Sequence, residues 1–494
     1  MNPGFRTAAV AVVWSKSLAI ALGSALPVTA AEVTEQSINE RAAADATLRE
    51  LAQFKLPEPA REPQLPKRLT YQYGYGSESD IIRRTNPDLD KRLNDNFLLL
   101  TPQLNANVTY RPTDWLDITL EMILEREIPA REEDSVTLPD GQIQFAKKRE
   151  FSLLVDQAFV TIKDFTAPFE FAIGRRNYED ERHWLYDTSM DIVSTSLKLG
   201  KFRAEALVGR KVLMDMDLLQ RQKRERINTG ILYADYRGIE GIKVAAYTVF
   251  RDDQHPNRLR REGDIQLFGL RSQGVPIDPF SYWIELAHMR GRDPLSRDFL
   301  AYAFDVGATY RFLNLPLNPN VTAGFAFATG DNPRDIRKTN KNNEFRQTGL
   351  QSNEAKFAGL SDFKTYGEVL DPELSNLKIL TVGLGFRPTQ TVSVDFVYHD
   401  YRLDEIAEEI RNWPFTAQMN QVDTQLRRPS RDVGSAVDIV LGFRKLFGIR
   451  RLGVDLRVGW FFPGKAFLRN EGDEDNPIIR GADKGFTLVA KFWW

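Results

Sequence analysis

From Leu69 onward, apolar and polar residues alternate with a period of two. Leu300, Tyr302, Phe304, Val306, Ala308, Tyr310 and Phe312 share one parity, and Ala301, Ala303, Asp305, Gly307, Thr309 and Arg311 share the other. A strand places alternate side chains on opposite faces, so one face here is wholly apolar and the other small or polar. Val321, Ala323, Phe325 and Phe327 repeat the pattern, as do Val454, Leu456, Val458, Trp460 and Phe462, and earlier Ile118, Leu120, Met122 and Leu124. Period and turn residues together place strands near 69–77, 95–110, 115–127, 150–163, 168–176, 191–199, 202–213, 226–237 and 241–251. The second half adds 264–273, 280–291, 300–312, 320–329, 376–387, 390–402, 435–447, 451–462 and 484–494, for 18 in all. Parity is ambiguous in 150–163 and 191–213.

Alternation alone also suits a half-buried soluble sandwich. Connection lengths separate the two. Arg111 to Asp114, Gly200-Lys201, Gly238 to Glu240 and Arg387 to Gln390 are tight, whereas 128–149, 252–263, 330–375, 403–434 and 463–483 are long, polar and charged. Short turns at one end and long loops at the other are the signature of a transmembrane antiparallel β-barrel. The expected fold is therefore all-β, a closed barrel of about 18 strands over 67–494, wide enough to hold an aqueous lumen instead of a filled core. The last strand ends on an aromatic, Trp494.

The N-terminal segments differ from the rest. Arg6 and Lys16 precede an apolar run from Leu18 to Leu26, and Pro27 to Ala31 offers small residues for cleavage, so 1–30 reads as a signal peptide. A membrane anchor would need about 18 apolar residues, and Lys16 interrupts the only candidate. Without a cysteine at the cleavage site a lipoprotein is excluded. Residues 31–66 read as a periplasmic leader: an alanine-rich polar helix with Leu48, Leu51 and Phe54 at helical spacing, broken by Pro57, Pro59, Pro63 and Pro66. Such a leader suits either a partly disordered tail or docking to a periplasmic secretion partner. Export and a barrel together place the chain in a Gram-negative outer membrane, with membrane lipid as a partner.

Composition removes whole classes. The 66 basic residues are balanced by 68 acidic ones, so no basic excess exists to displace counterions from nucleic acid. No cysteine means no thiolate metal site and no thiol nucleophile. His183, His255, His288 and His399 are the only histidines, and none forms a metal-ligand pair or stands beside a nucleophile elbow. The chain reads as a non-enzyme without cofactor. Glu179, Asp180, Glu181, His183 and Asp187 crowd one loop and offer oxygen ligands for Ca²⁺, although a solvated hydrogen-bonded loop has the same composition.

Charges on a lipid-facing wall are costly, so those on polar strand faces should point inward. Arg311, Arg387, Arg444, Arg457 and Lys491 are the basic candidates; Glu121, Asp305, Asp395, Asp438 and Asp455 are the acidic ones. Two arrangements fit. They pair across the lumen and hold the wall, or an unpaired basic subset forms a path for an anionic solute.

Three stretches carry a resemblance. Ile173-Gly174-Arg175-Arg176, with Glu179-Asp180, Trp184 and Asp187, resembles a glycine-arginine segment of the alginate export family of outer-membrane proteins. Phe345 to Asn353, continuing through Phe357 and Gly359 to Tyr366-Gly367-Glu368 and Glu373 to Leu377, is similar to that family's most specific signature. Arg457 to Gly464 resembles its penultimate strand and following loop. The resemblance spans roughly Leu69 to Trp494. It implies an 18-stranded barrel passing an anionic exopolysaccharide, alginate or a similar polyuronate, through a basic lumen. On that resemblance Arg175 and Arg457 match pore arginines, and Lys356 and Lys364 lie where the family's long loop is basic. Asp156 and Asp455 stand where the family pattern carries arginine, and the turn at 447–451 is short. A diffusion porin for small polar or anionic solutes shares every other feature and is the alternative.

Overall fold

A computed structural model of the chain describes residues 70–494, apart from 92–95, 131–134, 138–142, 146–150, 164–167, 215, 221–224, 256–262, 333–339, 412–429 and 471–477. The signal-peptide and leader assignments at 1–66 lie outside the described residues. Eighteen strands form the wall. They are β1 Thr70–Thr85, β2 Phe97–Thr113, β3 Leu116–Glu125, β4 Ser152–Lys163, β5 Phe169–Glu179 and β6 Asp187–Leu199. Then come β7 Phe202–Arg210, β8 Ile227–Ile239, β9 Ile242–Asp253, β10 Asp264–Ile277, β11 Phe280–Arg292 and β12 Asp298–Arg311. The last six are β13 Asn320–Ala328, β14 Leu377–Thr389, β15 Val392–Leu403, β16 Asp432–Arg444, β17 Gly453–Pro463 and β18 Gly485–Trp493. Each pairs antiparallel with its sequence neighbours, and β18 closes on β1 from Glu78↔Trp493 to Thr85↔Phe486. Closure leaves no sheet edge, so every wall strand finds backbone partners in a medium without water.

The alternation read from the sequence is the alternation of the wall. On β12, Tyr302 and Tyr310 are exposed on the outer face while Ala301, Ala303, Asp305 and Thr309 are buried inside. On β13, Val321 and Phe325 face out while Thr322, Ala326 and Ala328 face in. Tyr71, Trp115, Phe169, Phe202, Tyr236, Phe280 and Tyr310, all exposed, ring the short-turn end as an aromatic girdle.

Two local differences matter. The first strand runs on to Thr85, well past the expected 77, because its outer half pairs with both β2 and β18. In β4 the register slips between Glu121↔Gln157 and Met122↔Val155, leaving Asp156 bulged, and pairing with β5 begins only at Ala158↔Arg175. Above that point β4 bridges the β7–β8 loop through Leu154↔Asp217. A bulge shifts the side-chain phase by one residue, which is why parity was unreadable there.

Candidate functional site

The long connection between β13 and β14 folds into the barrel. Its first part runs beside the long-loop end of β12, pairing Asp298↔Lys341 and Phe299↔Asn342. It then descends to a short hairpin, Glu354–Ala355 against Phe363–Lys364. The tip reaches the opposite end of the lumen: the Leu360 amide donates to Ser393 Oγ, the Arg444 guanidinium donates to the Leu360 carbonyl, and the Ser361 hydroxyl donates to Asp455. Ser393 and Asp455 lie near the starts of β15 and β17, and Arg444 ends β16, so all three mark the short-turn end. Gly359 is needed there, because a Cβ would sit 2.1 Å from Asp395 Oδ2. Gly367 adopts φ 102° where a Cβ would meet the Tyr401 hydroxyl at 2.1 Å.

Burial of apolar surface drives this inward fold. Phe345, Leu350, Phe363, Tyr366, Val369, Leu370 and Leu374 are all buried, each gaining about 1.5–3 kcal/mol for a Leu- or Phe-sized side chain. The wall makes room with small inward residues, Ala301, Ala303, Ala326 and Ala328. Phe357 stacks on Trp283 of β11 with centroids 5.8 Å apart. A second loop, 180–186, joins the core: Trp184 Nε1 donates to Tyr366 Oη at 2.9 Å, and Gln347 Nε2 donates to the Trp184 carbonyl. The expectation of an unfilled lumen is therefore corrected. Among the described residues the apolar cluster draws its wall members from β5–β17, and none from β1–β4 or β18. The core is one-sided, and the inner face of the β1–β4 arc carries Gln103, Asn105, Asn107, Glu121 and Gln157 alongside a few apolar residues such as Phe159.

The basic residues anticipated for the lumen separate into groups. Arg457 is buried on β17, 3.4 Å from Glu354 and 3.6 Å from Glu368 of the inward loop. Lys364 joins Glu354 at 3.4 Å and Asp371 at 3.1 Å, and Lys356 lies 3.6 Å from Asp362. Arg444 pairs with Asp455 at 2.7 Å and lies over the Trp493 ring. Lys491 stands in register between Asp80 and Asp455. These five share one region, where the loop hairpin meets β16–β18. Arg311 and Arg387 sit apart at the short-turn rim, Arg311 with Asp278 at 2.6 Å and Arg387 donating to the Gln390 carbonyl.

Arg175 is the correction. It shares parity with the exposed Phe171 and Ile173, and its partner Asp191 shares parity with the exposed Val193, so the pair lies on the outer face. The β7–β8 loop covers it: Arg175 donates to the Lys211 carbonyl and to Met216 Sδ, and Asp191 accepts from the amides of Leu213 and Met214. A charge the bilayer would reject is thus sheathed by chain instead of turned inward. Its neighbour Arg176 faces the lumen, over Phe159 and Tyr178 and 3.5 Å from Glu170.

The acidic loop is also divided. Asp180 binds Arg271 at 2.5 Å and accepts from the Leu185 and Tyr186 amides, while Glu181 pairs with Lys243. Glu179, His183 and Asp187 remain together, with ligand atoms within 4.8 Å of one another. Burial opposes charge on His183, but the Asp187 hydrogen bond and the charges of Asp187, Asp180 and Asp362 outweigh it and raise the imidazole to about 9. The five-residue set is thus dispersed, with Asp180 and Glu181 taken up by Arg271 and Lys243. The cluster instead fastens loop to loop, since Ser352 Oγ donates to Asp187 at 2.6 Å and the Ser352 and Asn353 amides donate to the His183 carbonyl. Sequence reasoning missed Arg182, Arg271 and Glu285. Arg271 bridges Asp180 to Glu285, and Arg182 reaches Asp305 at 3.2 Å across the lumen. For Arg271 and Glu285 the sequence signal was a charge at an inward parity, and Arg182, in a loop, carried none.

A sequence model of the alginate export family matches residues 65–480. Two similar proteins are named alginate production protein AlgE. The one from Azotobacter vinelandii is 24% identical over 380 residues, 68% of this chain and 76% of its own length. The one from Pseudomonas aeruginosa is 22% identical over 303 residues, 54% of this chain and 58% of its own. Solved outer-membrane barrels share the fold. OccAB1 of Acinetobacter baumannii gives a TM-score of 0.56 at 7% identity, covering 86% of this chain and 96% of that one. OpdK of Pseudomonas aeruginosa, solved with vanillate, gives 0.51 at 10% identity, covering 86% and 98%.

Proposed function

This chain belongs to the alginate export family as an outer-membrane β-barrel of alginate export, and we propose that the polymer crosses beside the inward loop, along the inner face of β1–β4. It is a transport protein. The observation that supports this route is the one-sided core: among the described residues the loop's apolar packing is against β5–β17 and takes no member from β1–β4. We further propose that Lys356, Lys364, Arg444, Arg457 and Lys491 act on the polymer's carboxylates where the loop hairpin meets β16–β18. Each of the first four is neutralised by a carboxylate in the resting arrangement, so a polyuronate would compete with these partners one at a time. Passage is passive, and direction comes from periplasmic components meeting residues 31–66 after removal of 1–30.

The test is complementation. A strain making alginate but lacking its exporter should regain polymer secretion with the wild-type chain. The Arg444→Glu variant should secrete less at equal barrel abundance. Small-solute uptake restored without secreted polymer would instead favour the diffusion porin. N-terminal sequencing of the purified barrel should begin at Ala31 or Glu32.

A further inference from the structure

The inner face of the β1–β4 arc carries an ordered set of carboxamides. Gln103, Asn105 and Asn107 follow one another along β2 at every second residue, about 7 Å apart, all on the lumen side. On β4, Gln157 continues the set around the wall and donates to Glu121 of β3. All four amide residues are half-buried, and none belongs to the apolar cluster.

Across the β1–β2 ladder, Asn105 stands in register with Gly76 and Asn107 with Gly74. A Cβ on Gly76 would lie 2.8 Å from Asn105 Oδ1, and one on Gly74 would lie 2.9 Å from Asn107 Oδ1. The amides therefore lie flat across the neighbouring strand, in space that only glycine leaves free. Lying flat, they stand out little from the wall; Asn105 Oδ1 is buried against β1 without a hydrogen-bond partner among the described residues, and Gln103 Nε2 donates to Glu125.

A carboxamide offers two donors and an acceptor without charge, which matches a sugar hydroxyl that donates and accepts. Arginine, by contrast, reads carboxylates. We propose that the β1–β2 amide row is a hydroxyl-binding track, against which successive sugar rings of the polymer slide while its carboxylates face the basic groups of the loop and β16–β18. This rests on the export reading for its cargo, but the track itself is selective for hydroxyl-rich chains of either charge.

Purified full-length barrel in planar bilayers tests it, with an uncharged maltohexaose and an anionic hexamannuronate as probes. Both should block ionic current transiently in the wild type. In the pair Asn105→Leu with Asn107→Leu, blocking by both should fall by about tenfold, the loss expected from two ordinary hydrogen bonds, while open conductance to small ions holds. If that pair fails to assemble, Asn105→Ala with Asn107→Ala replaces it, and Gly74→Ala, which tips Asn107 off the wall, should weaken blocking with both amides present. Blocking unchanged in these variants, or a wild type blocked by hexamannuronate but not by maltohexaose, overturns the track and leaves export standing. A wild type blocked by both sugars that secretes no polymer in cells overturns export and leaves the track standing.

Discussion

Arg457→Met removes the charge that ties the inward loop to β17 while keeping an unbranched, apolar stem. Arg457 is 4% exposed, Glu368 is 3% exposed and Glu354 is 18% exposed, with N···O separations of 3.4 and 3.6 Å. Glu354 keeps Lys364, whereas among the described residues Glu368 has Arg457 as its one ion-pair partner. Breaking a buried pair by deleting one partner costs about 3–5 kcal/mol, because the stranded carboxylate keeps its desolvation penalty. At about 1.4 kcal/mol per factor of ten, the ratio of docked to displaced loop should fall by roughly two to three and a half orders of magnitude. Displacing the loop opens the side of the lumen it fills. Single-channel recording at low salt should therefore show a larger conductance level, visited often by the variant and rarely by wild type. Arg311→Met is the control, since Asp278 opposite it is already 37% exposed and its pair adds little. If Arg457→Met shows the wild-type conductance levels and dwell times, the loop is not held by this pair and the reasoning fails.

Further outcomes follow from other parts of the wall. Arg175→Leu should leave Asp191 unpaired beneath the β7–β8 loop and lower the temperature at which the barrel loses its compact gel migration, without altering ion selectivity; altered selectivity would return Arg175 to the lumen. His183 has its folded value raised from 6.5 to about 9, so the contact with Asp187 is fully stabilising below pH 6.5, weakens above it and is lost beyond about 9. Protease cleavage within 345–375 should accordingly rise between pH 7 and 10 in wild type and be flat in His183→Phe. A tag after Asn340, at the long-loop rim, should be labelled on intact cells, whereas one at Thr389 should not; labelling at Thr389 inverts the topology.

The sequence alone determined the wall: the strand count, the long-loop and short-turn ends, and the outward parity of β3, β12, β13 and β17. The reason is that bilayer and lumen constrain each strand residue by residue, so the code is local and survives without knowing any partner. The destination of the long loop at 330–375 was decided only by tertiary structure. Its apolar residues, Phe345, Leu350, Phe363 and Tyr366, carry no period and find partners far along the chain, such as Trp184 against Phe345 and Tyr366. The pairing of Arg457 with Glu354 and Glu368 was hidden for the same reason, since it joins residues about a hundred positions apart. Arg175 shows the limit most sharply. A rule that charges avoid lipid places it inside, yet the β7–β8 loop satisfies the same energetics from outside, and no local pattern tells which of the two covers the charge.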